Sequence, residues 1–319
     1  MRSLSRRALL VLPLALAACS GDVPPTGAAV RLAVIPKGTT HEFWKAVESG
    51  AKRAGEELGV EIVWKGPLKE NDRAEQIRVV EQFASEGIAG IALAPLDDKA
   101  LVRPVADARG KGIPVVIFDS ALDGTAGTDF ASFVASDNLE GGRMAAREMT
   151  RLLDGKGKVV VLRYQVGSAS TIDREAGFLE VIAQQPGITL LSSDQYAGAS
   201  VESAKTKALN LLDQLRLADG IFCSNESASV GMLRALEQEG LAGKVKFVGF
   251  DATPPLVAAL ESGAIQALVV QDPVDMGHRA VTTLVAALRK QPFEPRIATT
   301  LALATKANLD QPEIARLLK

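Results

Sequence analysis

The chain has 319 residues, 47% of them hydrophobic and 23% charged, enough for one large domain or two ordinary ones. A formal net charge of -2 gives no electrostatic ground for a nucleic-acid partner. Only two cysteines, Cys19 and Cys223, are present, so no disulfide framework supports the fold.

The N-terminus reads as an export address. Arg2, Arg6 and Arg7 precede an apolar stretch from Ala8 to Ala18 that is too short to span a bilayer. It ends in Leu16-Ala17-Ala18-Cys19, which is similar to a bacterial lipobox, so residues 1–19 are expected to be a lipoprotein signal peptide with Cys19 the lipidated residue. Ser5-Arg6-Arg7-Ala8-Leu9-Leu10 leaves Sec and twin-arginine export both open. Residues 20–29 read as a flexible tether. Cys223, inside the apolar run Ile221-Phe222-Cys223, is expected to be a buried structural thiol.

Strands and helices then alternate. Val30–Ile35, Glu61–Trp64, Ile91–Ala94 and Val115–Phe118 read as strands. Between them, helices are expected from about Glu42 to Leu58, after the Asn71-Asp72 cap, and from about Lys99 to Lys111. Phe43, Val47, Ala51, Ala54 and Leu58 share one face of the first helix, whereas Trp44 is offset from it. After an irregular segment from Asp123 to Asp129, Ser136-Asp137 leads into another helix. The rhythm then resumes with strands at Lys158–Tyr164, Leu190–Ser193, Ile221–Cys223, Val245–Phe250, Ala267–Gln271 and Thr299–Ala304. Such alternation predicts βαβ units and parallel sheets.

The two halves echo each other. Val115-Val116-Ile117-Phe118-Asp119 and Phe247-Val248-Gly249-Phe250-Asp251 are both buried-strand runs ending in a carboxylate, with the acids 132 positions apart. Gly87–Pro95 and Leu217–Asn225 repeat at a nearly equal offset. Open α/β sheets bind ligands at the carboxyl ends of their strands, so two lobes facing a cleft are expected, each offering an acid. The plainer roles are a helix N-cap for Asp251 before Thr253-Pro254, and a turn or cap for Asn225.

Phe133-Val134-Ala135-Ser136-Asp137-Asn138-Leu139-Glu140-Gly141-Gly142, Asp173-Arg174-Glu175-Ala176-Gly177-Phe178 and Val248-Gly249-Phe250-Asp251-Ala252-Thr253-Pro254 together resemble the type I periplasmic binding proteins, and within them the ribose-binding branch that serves ABC sugar importers. The resemblance spans residues 30–306. It implies an α/β fold of two Rossmann-like lobes with parallel sheets, joined by a three-segment hinge near Ser136-Asp137, Gln271-Asp272 and Thr299. The first lobe would take residues 30–136 plus 272–299, and the second 137–271 plus 300–319. The family's ligand contacts fall on Phe43 and Trp44 as stacking aromatics, and on Asp119, Asn225, Asp251 and Gln271 as polar contacts. His41 stands where the family has an asparagine, and would bond a hydroxyl or cap its helix. Ser120 and Ile172 replace arginines, and Ala199 an aromatic, so ribose itself does not carry over. Arg174 matches an arginine taken as structural. Arg163, Tyr164 or Gln165, at the end of the Lys158–Tyr164 strand, would take the place of the missing arginine in a cleft that otherwise has no cation.

The implied function is an exported, lipid-anchored, monomeric protein of the periplasm or cell envelope, holding a monosaccharide or similar polyol and delivering it to an ABC permease. A sensory binding protein presenting a sugar or autoinducer to a membrane receptor is the alternative. No catalytic residue, cofactor or metal is expected, since His41 and His278 lie in distant segments without a nucleophile or ligand cluster.

Overall fold

The computed structural model describes residues 30–318. The expected signal peptide with Cys19 and the expected tether lie outside them. In chain order the first half comprises β1 (Arg31–Ile35), α1 (Glu42–Leu58), β2 (Glu61–Trp64), α2 (Arg73–Glu86), β3 (Gly90–Leu93), α3 (Val102–Gly110), β4 (Val115–Phe118) and β5 (Ser132–Ala135). There follow α4 (Asn138–Leu152), β6 (Lys156–Arg163), α5 (Ala169–Ile182), β7 (Gly187–Tyr196), α6 (Val201–Asn210), α7 (Leu212–Leu217), β8 (Gly220–Cys223), α8 (Glu226–Gln238), β9 (Lys246–Phe250), α9 (Pro254–Ser262) and β10 (Ala267–Gln271). The chain ends with α10 (Pro273–Leu288), β11 (Arg296–Ala298), β12 (Leu301–Thr305) and α11 (Pro312–Ala315).

Among the described residues the strands form two six-stranded sheets, ordered β11-β5-β4-β3-β1-β2 and β12-β10-β9-β8-β6-β7. The chain passes between them three times: from β5 to α4, from β10 to α10, and from β11 to β12. The first two passages are closed off by the same device. Asp137 accepts from the Glu140 N–H and Asp272 from the Asp275 N–H, each at 3.0 Å, so an aspartate caps the helix entered after the crossing. At the third crossing Thr299 Oγ1 and Ser136 Oγ hydrogen-bond at 3.1 Å, tying two hinge segments together.

Each lobe buries one sheet face under a pair of helices whose backbones nearly touch. A Cβ on Gly50 of α1 would lie 1.9 Å from the Val274 carbonyl oxygen at the start of α10, and one on Gly277 2.1 Å from that of Val47. In the second lobe a Cβ on Gly142 of α4 or on Gly177 of α5 would lie 1.9 or 2.1 Å from the Arg174 or Leu139 carbonyl oxygen. The Gly141-Gly142 and Ala176-Gly177 stretches that carry the family likeness are therefore packing surfaces.

Three stretches depart from the sequence reading. β5 and β11 are strands of four and three residues too short to register as apolar runs. β7 extends over ten residues, Gly187–Tyr196, because it is an edge strand with one face toward water and tolerates Ser192-Ser193-Asp194-Gln195. The sheets are also not wholly parallel: β12 reaches its sheet straight from β11, with no crossover helix, and pairs antiparallel with β10. Cys223 is buried, with its thiol pushed well up by burial.

Candidate functional site: the cleft between the lobes

Asp119 follows β4 and Asp251 follows β9 directly, and both adopt left-handed backbone conformations, with φ of 61° and 71°. A non-glycine residue there is strained, yet each is pinned by the neighbouring strand. The Asp119 N–H donates to the Val134 carbonyl (3.0 Å) and the Asp251 N–H to that of Val269 (2.8 Å). The repeat read in the sequence is thus an equivalent backbone turn in each lobe, and both acids, almost fully buried, line one cavity.

That cavity encloses about 330 Å³ counted out to its mouth. Direct bonds cross the cleft. Lys37 donates to the Ser168 and Ser170 hydroxyls (3.2 and 2.9 Å), Tyr164 Oη to Glu70 (2.7 Å), and Gln165 Nε2 to the Glu70 carbonyl (2.7 Å).

All seven expected contacts border the cavity, in roles that differ from expectation. Trp44, not Phe43, is the core residue: it is 3% exposed and packs on Phe118, while Phe43 is half-buried and meets Trp44 edge-on at 4.9 Å between ring centroids. Asn225 does cap α8, accepting from the Ala228 N–H at 3.2 Å. Asp251 does not cap α9, whose N-cap is Thr253. Instead its carboxylate accepts from the Glu226 N–H in the first turn of α8 (2.9 Å) and from Gln271 Nε2 (2.7 Å). His41 makes no side-chain cap either and pairs with Glu70 at 2.5 Å.

The cleft does contain cations, and they are not those expected. Lys37 Nζ lies 3.0 Å from Asp119 Oδ2, and both are buried. Arg174 borders the cavity, donating to Asn138 (2.8 Å) and the Ser224 carbonyl (3.0 Å) with its guanidinium 3.9 Å over the Phe250 ring. Arg163 points elsewhere, to the Ser193 carbonyl. Ser120, in an arginine's place, instead accepts the Ser170 N–H from the opposite lobe at 3.1 Å, and Ile172 lies outside the lining.

Burial works against the charge on both partners of the His41–Glu70 pair, and their mutual attraction overrides it. Glu70, further favoured by Lys37 and the Trp44 indole N–H (2.7 Å), is held down to about 2, while His41 is lifted to about 9. Burial pushes the carboxyl of Asp251 up against the pull of Arg174, and that of Glu226 up to about 7. Among the described residues no three His, Cys, Asp or Glu groups are placed to hold a metal ion.

Lys37, Glu70, Arg174 and Glu226 are the charged lining groups that sequence reasoning missed. The strand-end rule that found Asp119 would have found Lys37, which lies just past β1.

Residues 32–292 match the periplasmic binding protein domain family. The D-allose-binding periplasmic protein of Escherichia coli K12 is 31% identical over 265 residues, covering 82% of this chain and 85% of that protein. Among solved structures, an ABC transporter solute-binding protein from Agrobacterium vitis with bound D-fucose superposes with a TM-score of 0.87 at 34% identity, covering 91% of this chain and all of that one. A carbohydrate transporter solute-binding protein from Agrobacterium radiobacter, in complex with D-arabinose, gives 0.88 at 32% identity, covering 92% and 100%. Two lobes joined by three crossings around a polar cleft, and a match over most of the length, make this chain a member of the type I periplasmic binding protein family, a substrate-binding protein and not an enzyme.

Proposed function

We propose that the protein captures a neutral monosaccharide or similar polyol between its lobes and delivers it to an ABC importer, as a monomer held to the bacterial envelope through lipidated Cys19. The lobes would be residues 30–136 plus 272–299 and residues 137–271 plus 300–319.

The observation that carries the reading is Gln271. Its Nε2 is committed to Asp251, which leaves the buried Oε1 without a donor. A buried acceptor in that position costs free energy until a hydroxyl reaches it. Beside it stand Asp119 and Asp251, strong acceptors for hydroxyl protons, and the half-buried ring of Phe43, a face for the C–H surface of a sugar. Charge favours a neutral ligand: Lys37, His41 and Arg174 face the carboxylates of Glu70, Asp119, Asp251 and Glu226, so no surplus of positive charge awaits a phosphate or sugar acid. The D-fucose, D-arabinose and D-allose named for the similar proteins fit that chemistry. Capture then proceeds by closure, since a ligand touching both lobes gains its full set of contacts only when they meet.

Thermal unfolding of the purified protein with D-allose, D-ribose, D-arabinose, D-fucose, xylitol and gluconate tests this. A bound sugar at 100 times its dissociation constant adds about 2.7 kcal/mol. Stabilisation by a neutral polyol and not by gluconate is expected; stabilisation by gluconate alone, or by none, would sink the reading. For the anchor, Cys19→Ser should move the protein from the membrane to the soluble fraction, and continued membrane association would refute it.

A further inference from the structure

Two glutamates are buried in the cleft and are held in opposite ways. Glu70 has a paired histidine. Glu226, also buried, makes no ion pair among the described residues. Its carboxylate accepts from two backbone N–H groups, Glu42 at 3.2 Å and Phe43 at 2.9 Å. Both belong to the first turn of α1, on the opposite lobe. Helix first turns carry N–H groups without intrahelical partners, and the α1 N-cap, His41, supplies no side-chain bond. An acid of the second lobe therefore caps a helix of the first. Parting the lobes breaks both bonds and returns the carboxylate to water.

The geometry points to Glu226 as a positioning residue that seats the first turn of α1, with His41 and Phe43, against the ligand, and that takes up a proton as the lobes close. The charged and titratable groups facing it are His41, Glu42 and Lys45 from the first lobe and Asp251 and Tyr164 from the second. Closure strips water from a carboxylate that has no bonded cation, which disfavours its charged form. In the closed arrangement burial brings Glu226 from 4.5 to about 7, although His41 and the two N–H groups pull the other way. A group whose affinity for protons is higher in the closed form favours closure at low pH, and that advantage is lost as pH rises through 7. Ligand affinity should fall about tenfold between pH 6 and pH 8 from this group alone.

The inference rests on the reading of the cleft as a polyol site that closes, and one experiment separates the two. The purified protein is titrated calorimetrically with D-allose, D-ribose, D-arabinose and D-fucose at pH 6, in two buffers of different ionisation enthalpy. Asp251, whose carboxyl burial also pushes up, contributes to uptake in native protein and variant alike, so the difference between them reports on Glu226. Binding should take up protons in the native protein, and Glu226→Gln should take up clearly fewer and show a flatter pH profile. Absent uptake in the native protein, or equal uptake in the variant, overturns the inference. If none of the four sugars binds, the polyol reading has failed on its own. Proton linkage is then read from small-angle scattering between pH 5 and 8. The native protein should contract on acidification and Glu226→Gln should not; an unchanging native radius overturns the inference.

Discussion

Replacing Glu70 by glutamine isolates the ion pair at the floor of the cleft. In the native protein its carboxylate receives His41, Trp44 Nε1 and Tyr164 Oη. Glutamine keeps one carbonyl acceptor and turns an amide donor toward groups that are themselves donors. Holding Glu70 at about 2 instead of 4.5 corresponds to about 3 kcal/mol of native-state stability. The lift of His41 from 6.5 to about 9 is the same interaction seen from its partner, and is counted once. The signs define a window. The contribution of Glu70, whose proton affinity is depressed, is present above pH 4.5 and lost as pH falls toward 2. That of His41, whose proton affinity is raised, is present below 6.5 and lost as pH rises through 9. Urea unfolding of native protein and Glu70→Gln should therefore differ by about 3 kcal/mol at pH 5.5, and by only about 1 kcal/mol at pH 9.5, where the lost Trp44 and Tyr164 bonds remain. An equal gap at both pH values would refute the ion pair as its source.

Asp251→Asn keeps the side chain's shape but weakens its charge-assisted bonds, so polyol affinity should drop by about 10- to 100-fold in calorimetry; unchanged affinity would remove Asp251 from the site. The adjacent aromatics should separate cleanly. Trp44→Ala should lower stability by about 3–5 kcal/mol in urea, whereas Phe43→Ala should cost little stability and weaken polyol binding by about tenfold. The reverse pattern would exchange the roles given to the two rings.

The lobes were legible because Phe118-Asp119 and Phe250-Asp251 are short apolar strands punctuated by the same residue, and burial of a parallel strand on both faces leaves an unbroken hydrophobic run. The relative depth of Phe43 and Trp44, both expected as ligand contacts, was not legible, because helical spacing gives a face while the depth of each position depends on a neighbour, Phe118, that is remote in sequence. Lys37, Glu70, Arg174 and Glu226 escaped for a related reason. A long charged side chain reads as solvated until the opposite lobe is present to cover it, and Lys37 and Glu70 lie in loops where water is the ordinary neighbour. Glu226 adjoins Asn225 in sequence, but its partners belong to α1.

The three crossings also govern the order in which the molecule can be completed. Residues of α10, among them Met276, Ala280, Val281 and Leu284, belong to the core cluster of the first lobe, and β11 is that lobe's outer strand. The lobe begun at Arg31 is therefore unfinished until about residue 298 has emerged, after every strand of the second sheet except β12. During synthesis and export, one apolar face and the unpaired edge of β5 wait for a segment more than a hundred residues away in the chain. Contacts of that separation form slowly, and an uncovered edge invites association with other chains. The inserted half, continuous from α4 to β10, is the part able to fold earlier, and a chain truncated before α10 leaves the first half without the helix that covers its sheet, while the second lacks only β12 and α11.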